Sequence, residues 1–242
     1  MTEISEKLIL DDRLSAVASF VREGAVFADI GTDHAYLPIH LILERKVEVA
    51  FATDINHEPL RRAVENVKKY RLSDKIKCLL CDGFSALKDY GITDGAICGM
   101  GGELICAIIE DAPFIKKRGM RLILQPMTRP HEVRKYLLKH GFNITGEKLA
   151  LTDGKLYNCI CADYDGNIRR YSDLELELGK INIDSNRTPL FLKLLERKIS
   201  AQKKIIDGKM RSNLDVTPDQ ARLRDYLRLY ENRSISILKK GE

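Results

Sequence analysis

As far as Gly141, short apolar runs along the chain alternate with stripes of apolar residues at helical spacing. Leu10, Leu14, Val17 and Val21 predict an amphipathic helix over residues 6–23, closed by Gly24. Strands are predicted over 26–30, 47–53, 76–81, 96–98 and 121–124. Between them, residues 37–45 read as a short helix. Pro59 opens a helix whose apolar face is Leu60, Ala63, Val64 and Val67. Leu104, Ile105, Ile108 and Ile109 mark another, and Pro130 starts one more that Gly141 stops. Such alternation predicts a parallel sheet with helices on its faces.

The pattern then changes. Residues 142–151 and 156–164 read as two strands joined through Thr152-Asp153-Gly154-Lys155, and Asp-Gly between such runs signals a type I′ hairpin. Ordinary dinucleotide folds continue with parallel units at this point. Asp163-Tyr164-Asp165-Gly166-Asn167 reads as a linker, which divides the chain into residues 1–164 and a helical region, 165–242. Leu190, Leu194 and Ile205 mark a long charged helix. The stretch 213–218 interrupts it, with Thr217 as the expected cap and Pro218 in the next first turn. Ala221, Leu223, Leu227, Tyr230 and Ile235 mark a second helix, so an antiparallel helical hairpin or coiled coil is expected.

Composition adds little to the picture until it is divided. The chain is 44% hydrophobic and 31% charged, with a net charge of +5. No apolar run is long enough to span a bilayer. The first residues lack the basic-then-apolar order of a signal peptide, so a cytoplasmic protein is expected. Residues 163–242 carry 17 Lys/Arg against 13 Asp/Glu, whereas the residues before them carry 23 against 22. Within 187–211 there are eight basic residues, from Arg187 to Arg211, and two acidic ones, Glu196 and Asp207. A basic stripe of this kind is a candidate footprint for nucleic acid or a solvated helix face. Cys78 and Cys81 form a C-x-x-C, but they lie in an apolar run that reads as a buried strand, with no second ligand pair. No metal is expected.

The candidate chemistry gathers at strand ends. Asp29-Ile30-Gly31-Thr32-Asp33-His34-Ala35-Tyr36 reads as a strand, a glycine turn and a helix start. Asp54 follows strand two and Asp82 follows strand three. Asp54 can accept hydrogen bonds from two ribose hydroxyls, and Asp82 from an adenine amine. Asp29 or Asp33 can meet a cationic methionine end. A sulfonium and an ammonium tolerate nearby carboxylates, whereas a pyrophosphate is repelled. Asp54 lies 23 residues after Gly31, a spacing that also suits a dinucleotide, but G-x-G-x-x-G is absent. The residues therefore favour S-adenosylmethionine.

The terminal hairpin on a parallel sheet resembles the class I methyltransferase layout, a Rossmann-like α/β fold with a seven-stranded sheet. More specifically, D-I-G-T-D-H-A-Y-L-P at 29–38 resembles the bacterial tRNA (adenine-22-N1)-methyltransferase family of the TrmK type. Thr53-Asp54-Ile55-Asn56, Cys81-Asp82-Gly83, Gly99-Met100-Gly101-Gly102 and Gln125-Pro126 carry the same resemblance, which runs through residues 8–162. Met127 departs from it, because Asn is expected after Gln-Pro. The resemblance implies methyl transfer to N1 of an adenine in the D-loop region of tRNA, with a C-terminal coiled-coil hairpin.

Cofactor contacts are accordingly expected from Asp29, Gly31, Asp54, Ile55, Asn56, Cys81, Asp82, Gly83, Gly99 and Met100. Asp33, His34 and Tyr36 are the candidates for the reaction centre. Substrate contacts are expected from Arg13, Tyr36, Gly101, Gly102 and Gln125, and on the basic helix from Arg197, Lys198, Lys203 and Lys204. Arg13 and Arg129 read equally as phosphate contacts or ion-pair members. The expected partner is tRNA, with no membrane, and the expected state is a monomer. The residues alone leave open another RNA or a small molecule as methyl acceptor, and a non-catalytic RNA-binding protein on the same fold.

Overall fold

The computed structural model describes residues 8–185 and 188–238, without the side chains of residues 185 and 235–238. The chain forms two compact units, Met1–Arg170 and Tyr171–Glu242. The segment read as a linker belongs to the first unit. The Asp165 and Gly166 amides both donate to the Gly141 carbonyl, at 3.0 and 2.9 Å, and the Arg169 amide donates to Leu138 O at 2.9 Å.

The first unit is built on a seven-stranded sheet of order β3-β2-β1-β4-β5-β7-β6. Its strands are β1 (Val26–Ile30), β2 (Val49–Asp54), β3 (Ile76–Leu80), β4 (Asp94–Gly101), β5 (Arg121–Thr128), β6 (Phe142–Thr152) and β7 (Lys155–Tyr164). β1 to β5 pair in parallel, and β7 runs antiparallel to both β5 and β6. This is the expected seven-stranded layout with its terminal hairpin. Asp153 and Gly154 have φ of 49° and 71°, the pair of positive values that a type I′ turn requires. The helices of this unit are α1 (Asp12–Phe20), α2 (Tyr36–Leu43), α3 (His57–Lys69), α4 (Gly102–Glu110) and α5 (Pro130–Lys139).

β1 lies between β2 and β4, so the chain leaves β1 toward one side of the sheet and later fills the other. A crevice opens at the carboxyl ends of the strands beside such a reversal. The loops after β1 and at the end of β4 are its two walls.

Three expectations shift. The first helix begins only at Asp12, because the Asp11 carboxylate accepts the Leu14 amide at 2.7 Å and caps it there; residues 6 and 7 lie outside the described residues. β3 is an edge strand, so Cys78 within it and Cys81 just beyond it are half-buried rather than buried. β4 and β5 run past their expected ends. Gln125 and Pro126 therefore sit within β5, and Gly99 and Met100 within β4. The register skips between Cys98 and Met100, opposite Pro126. A bulge there removes the need for the amide hydrogen that proline lacks.

The second unit contains α6 (Asp173–Leu178), α7 (Lys180–Ser185), α8 (Pro189–Arg211) and α9 (Thr217–Leu238). Ser172 caps α6 in a reciprocal box with Glu175. Along α8 and α9, Gln202 and Lys209 bond Asp219 while Tyr230 bonds Glu196, so the two helices run antiparallel. α8 buries Phe191, Leu194, Leu195, Gln202 and Ile206. Ile205, expected on the inner face, is 47% exposed, and its neighbour Ile206 takes the inner position. Thr217 is the first helical residue rather than the cap, and the Asp215 carboxylate accepts its amide. Tyr226 supplies the buried ring of α9, whereas Leu227 is exposed. The Ile235 side chain lies outside the described residues.

Candidate active site

The loop after β1 is shaped by one glycine. Gly31 has φ of +74°, a left-handed conformation that favours glycine, and a Cβ there would also push the flexible tip of Met100 aside. Thr32 then ties the turn to β2. Its amide donates to Thr53 O at 2.8 Å, and its buried hydroxyl accepts the Ala35 amide at 3.1 Å. Ala35 takes a left-handed conformation, from which α2 starts.

Asp33 points to α3. Arg62 Nε donates to its Oδ1 at 2.9 Å, and His34 Nε2 lies 3.3 Å from its Oδ2. The His34 ring stacks on Tyr36, with centroids 5.0 Å apart and planes 10° from parallel. Asn66 Nδ2 donates to His34 O at 3.0 Å. Tyr36 is 40% exposed and presents its ring at the cleft. Asp33 is thus paired with Arg62, whereas Asp29 lies in the cleft lining with only the Arg13 charge beside it as a cation.

Asp29 and Asp54 lie on neighbouring strands and sense each other's charge, whereas Asp82 lies one strand further out, beside Ile108 and Asp111. Asp29 is buried on β1. Burial pushes its carboxyl up to about 6, against the opposing pull of the Thr32 hydroxyl and the Arg13 charge. Asp54 closes β2, and its Oδ1 accepts the Asn56 amide at 2.7 Å. The Asn56 side chain makes no cap bond to α3. Asp82 is exposed beyond β3, and Cys81 joins the strand ends through its amide to Asp54 O at 3.0 Å. Gly83 follows with φ of +52°. Ile55 and Leu80 leave 60% and 44% of their surfaces exposed beside these carboxylates, an uncovered apolar pair next to polar acceptors.

On the other wall, Gln125 is fully buried, and its Oε1 accepts both the Gly99 amide, at 3.1 Å, and Arg13 Nη1, at 2.9 Å. Gln125 is thus closed off from solvent, whereas Arg13 stays partly exposed in the cleft lining. Gly102 is likewise buried. A Cβ on it would meet the Arg129 and Thr128 carbonyls at 2.7 and 2.9 Å, so glycine is required here for close packing of the start of α4. Gly101 stays half-exposed, and Arg129 pairs with Glu103. The cleft between the walls encloses about 540 Å³, with Leu10, Arg13, Asp29, Thr32, Tyr36 and Gly99 in its lining.

Leu10, Asp11, Thr32, Arg62 and Asn66 had no signal in the sequence beyond their polarity or periodicity. Arg62 and Asn66 are placed by partners 29 and 32 positions away, Thr32 by the turn, and Asp11 by its cap bond to Leu14. Among the described residues, no three His, Cys, Asp or Glu side chains gather as a metal site requires. Burial raises the Cys78 thiol to about 11.

In the second unit, Arg197, Lys203 and Lys204 are exposed on α8; Lys198 pairs with Glu177 and Lys209 with Asp219. Part of the basic stripe is therefore neutralised within its own unit. Arg187 lies outside the described residues.

Residues 10–160 match the family model described as a methyltransferase domain. The tRNA (adenine(22)-N(1))-methyltransferase of Bacillus subtilis is 34% identical over 175 residues, covering 72% of this chain and 74% of that protein. The crystal structure of the B. subtilis M1A22 tRNA methyltransferase TrmK superposes with a TM-score of 0.78 at 28% identity, over 94% of this chain and 98% of that one. The structure of M. capricolum TrmK in complex with S-adenosyl-homocysteine gives 0.74 at 28% identity, over 92% and 98%.

Proposed function

The chain belongs to the tRNA (adenine(22)-N(1))-methyltransferase family, and from that premise we propose that it methylates N1 of adenine 22 in tRNA from S-adenosylmethionine. The observation that carries this reading is the set of carboxylates at the carboxyl ends of three neighbouring strands, Asp29 on β1, Asp54 closing β2 and Asp82 just beyond β3, beside a turn closed by Gly31.

The donor set fits the cofactor. With Oδ1 of Asp54 occupied by the Asn56 amide, its other oxygen serves ribose hydroxyls. Ile55 and Leu80 offer apolar cover for an adenine, and Asp82 accepts from its amine. Asp29 faces the cationic end, where an ammonium favours its ionised form. When bound, S-adenosylmethionine supplies a methyl group on a positively charged sulfur.

Adenine N1 carries an in-plane lone pair, so this chain needs no residue to remove a proton from it. Its task is alignment of N1 within the cleft and stabilisation of the charge that N1 acquires. Tyr36, backed by His34, provides a face on which an unpaired base stacks. N1 lies on the pairing edge, so the base has to be turned out of any helix. Asp29 supplies negative charge from the floor. The helical unit, with Arg197, Lys203 and Lys204 on its exposed face, supplies phosphate contacts.

The test is labelled methyl transfer to a tRNA transcript, with the modified base located by primer-extension arrest. Methylation at adenine 22, abolished when that base is guanine, is the expected result; modification elsewhere or none would overturn the reading. Asp54→Ala and Asp82→Ala should each weaken S-adenosylmethionine binding by about tenfold or more, measured by calorimetry. Unchanged affinity in both would remove the carboxylate assignments.

A further inference from the structure

The bulge in β4 leaves one backbone amide outside the sheet ladder. Cys98 pairs with Gln125 and Met100 with Pro126, so Gly99 between them has no partner residue on β5. Its φ is +77°, and its N–H turns to Gln125 Oε1 at 3.1 Å. The same oxygen accepts Arg13 Nη1 at 2.9 Å. Two donors on one atom identify it as the amide oxygen, because a flipped amide would set its NH2 group against both. The Gln125 Nε2 is then left facing Met127 Sδ, at 3.6 Å.

Arg13 is itself held from several sides. Its Nη2 lies 3.6 Å from the Asp11 carboxylate that caps α1. Its guanidinium carbon sits 5.9 Å from the centre of the Tyr157 ring on β7. Its positive charge lies beside Asp29, and both line the cleft with Gly99. A lysine ammonium cannot reproduce a planar fork shared between an amide oxygen, a carboxylate and a ring face.

We propose that Arg13 is a positioning residue: through Gln125 it holds the bulged Gly99 peptide, and so fixes the wall of the cleft against which the reacting groups are aligned. It is not a phosphate contact for RNA. The assignment rests on the methyl-transfer reading for its kinetic arm but not for its structural one.

Both arms use the full chain carrying Arg13→Lys, with Gln125→Met as the second variant. The structural arm follows hydrogen exchange of the Gly99 amide by NMR, without RNA or cofactor. Its protection should fall by about tenfold or more in both variants, while protection of the central strand β1 stays as in wild type. Unchanged Gly99 protection in Arg13→Lys overturns the proposal, whatever the protein methylates. The kinetic arm compares single-turnover methylation of tRNA with tRNA binding across a salt series. Loss of roughly ten- to a hundredfold in the transfer rate, with tRNA affinity and salt slope unchanged, is the result expected of misalignment. A phosphate contact gives the opposite pattern. Arg13→Lys then keeps the charge and most of the activity, Arg13→Met lowers the salt slope by about one, and Gln125→Met is silent. That pattern also overturns the proposal. Wild-type protein that leaves adenine 22 unmodified would count against the function reading alone, because the exchange arm still decides the role of Arg13.

Discussion

Two arginines in the first unit each tie a helix to the sheet, and their surroundings differ. Arg134 on α5 is sealed. Its Nε donates to Glu147 Oε1 on β6 at 2.6 Å, its Nη2 donates to Asn158 on β7 at 3.0 Å, and neither charged side chain retains any exposed surface. Arg13 on α1 keeps 23% of its side chain exposed at the cleft, and its main partner is a neutral amide. At the hairpin end, a paired charge is shut away where nothing else can reach it. At the carboxyl edge, a charge and a buried carboxylate remain open to a ligand. A buried ion pair is costly to break but adds little to stability over a well-packed apolar substitute. The half-open charge of Arg13 favours the ionised form of the buried Asp29 beside it.

The largest expected effect belongs to the sealed network. Arg134→Met leaves Glu147 buried without its charge partner and should cost about 3–5 kcal/mol in denaturant unfolding. Replacing Glu147 by Leu as well should recover most of it. A loss under about 1 kcal/mol for the single variant would remove the contrast. At the open edge the sign reverses. The folded-state pKa of Asp29, about 6, lies above its unfolded value, so the folded chain holds the proton more tightly. Stability should therefore fall as pH rises from about 4 to about 6, and Asp29→Asn should gain roughly 1–3 kcal/mol at pH 8. The same variant should bind S-adenosylmethionine more weakly, a gain in stability set against a loss of function. Thermal melts across pH with and without cofactor check both halves; a wild-type curve flat between pH 4 and 6 would contradict the burial argument. The smallest effect on the fold belongs to the second unit. Lys203→Ala with Lys204→Ala should leave unfolding within about 0.5 kcal/mol of wild type. The salt slope of tRNA binding should fall by about two. An unchanged slope would take these lysines out of the RNA footprint.

Much of the sheet could be read before folding. β1 has its expected bounds, and the Asp153-Gly154 turn forms where two alternating runs flank it. The carboxylates at 29, 54 and 82 were legible because strand ends in a parallel sheet share one edge. Legibility failed where a neighbour decides the outcome. β3 looked buried because apolar content does not say whether a strand lies at the edge. β4 and β5 looked short because a bulge opposite Pro126 cannot be read from either strand alone. Ile205 and Ile206 differ by one helical step, and only the folded unit shows which of the two is buried.

Local chemistry in the sequence determined the order and type of the elements, the hairpin that ends the sheet and the residue types at the strand ends. These depend on periodicity, turn conformation and capping, which act over a few residues. Only the tertiary structure decided the partners. Arg13 meets Gln125 across 112 positions, Arg62 reaches back 29 positions to Asp33, and Met100 rests on Gly31. Such contacts arise when distant loops are closed and packed together, and no local pattern in the chain records which polar group will be waiting there.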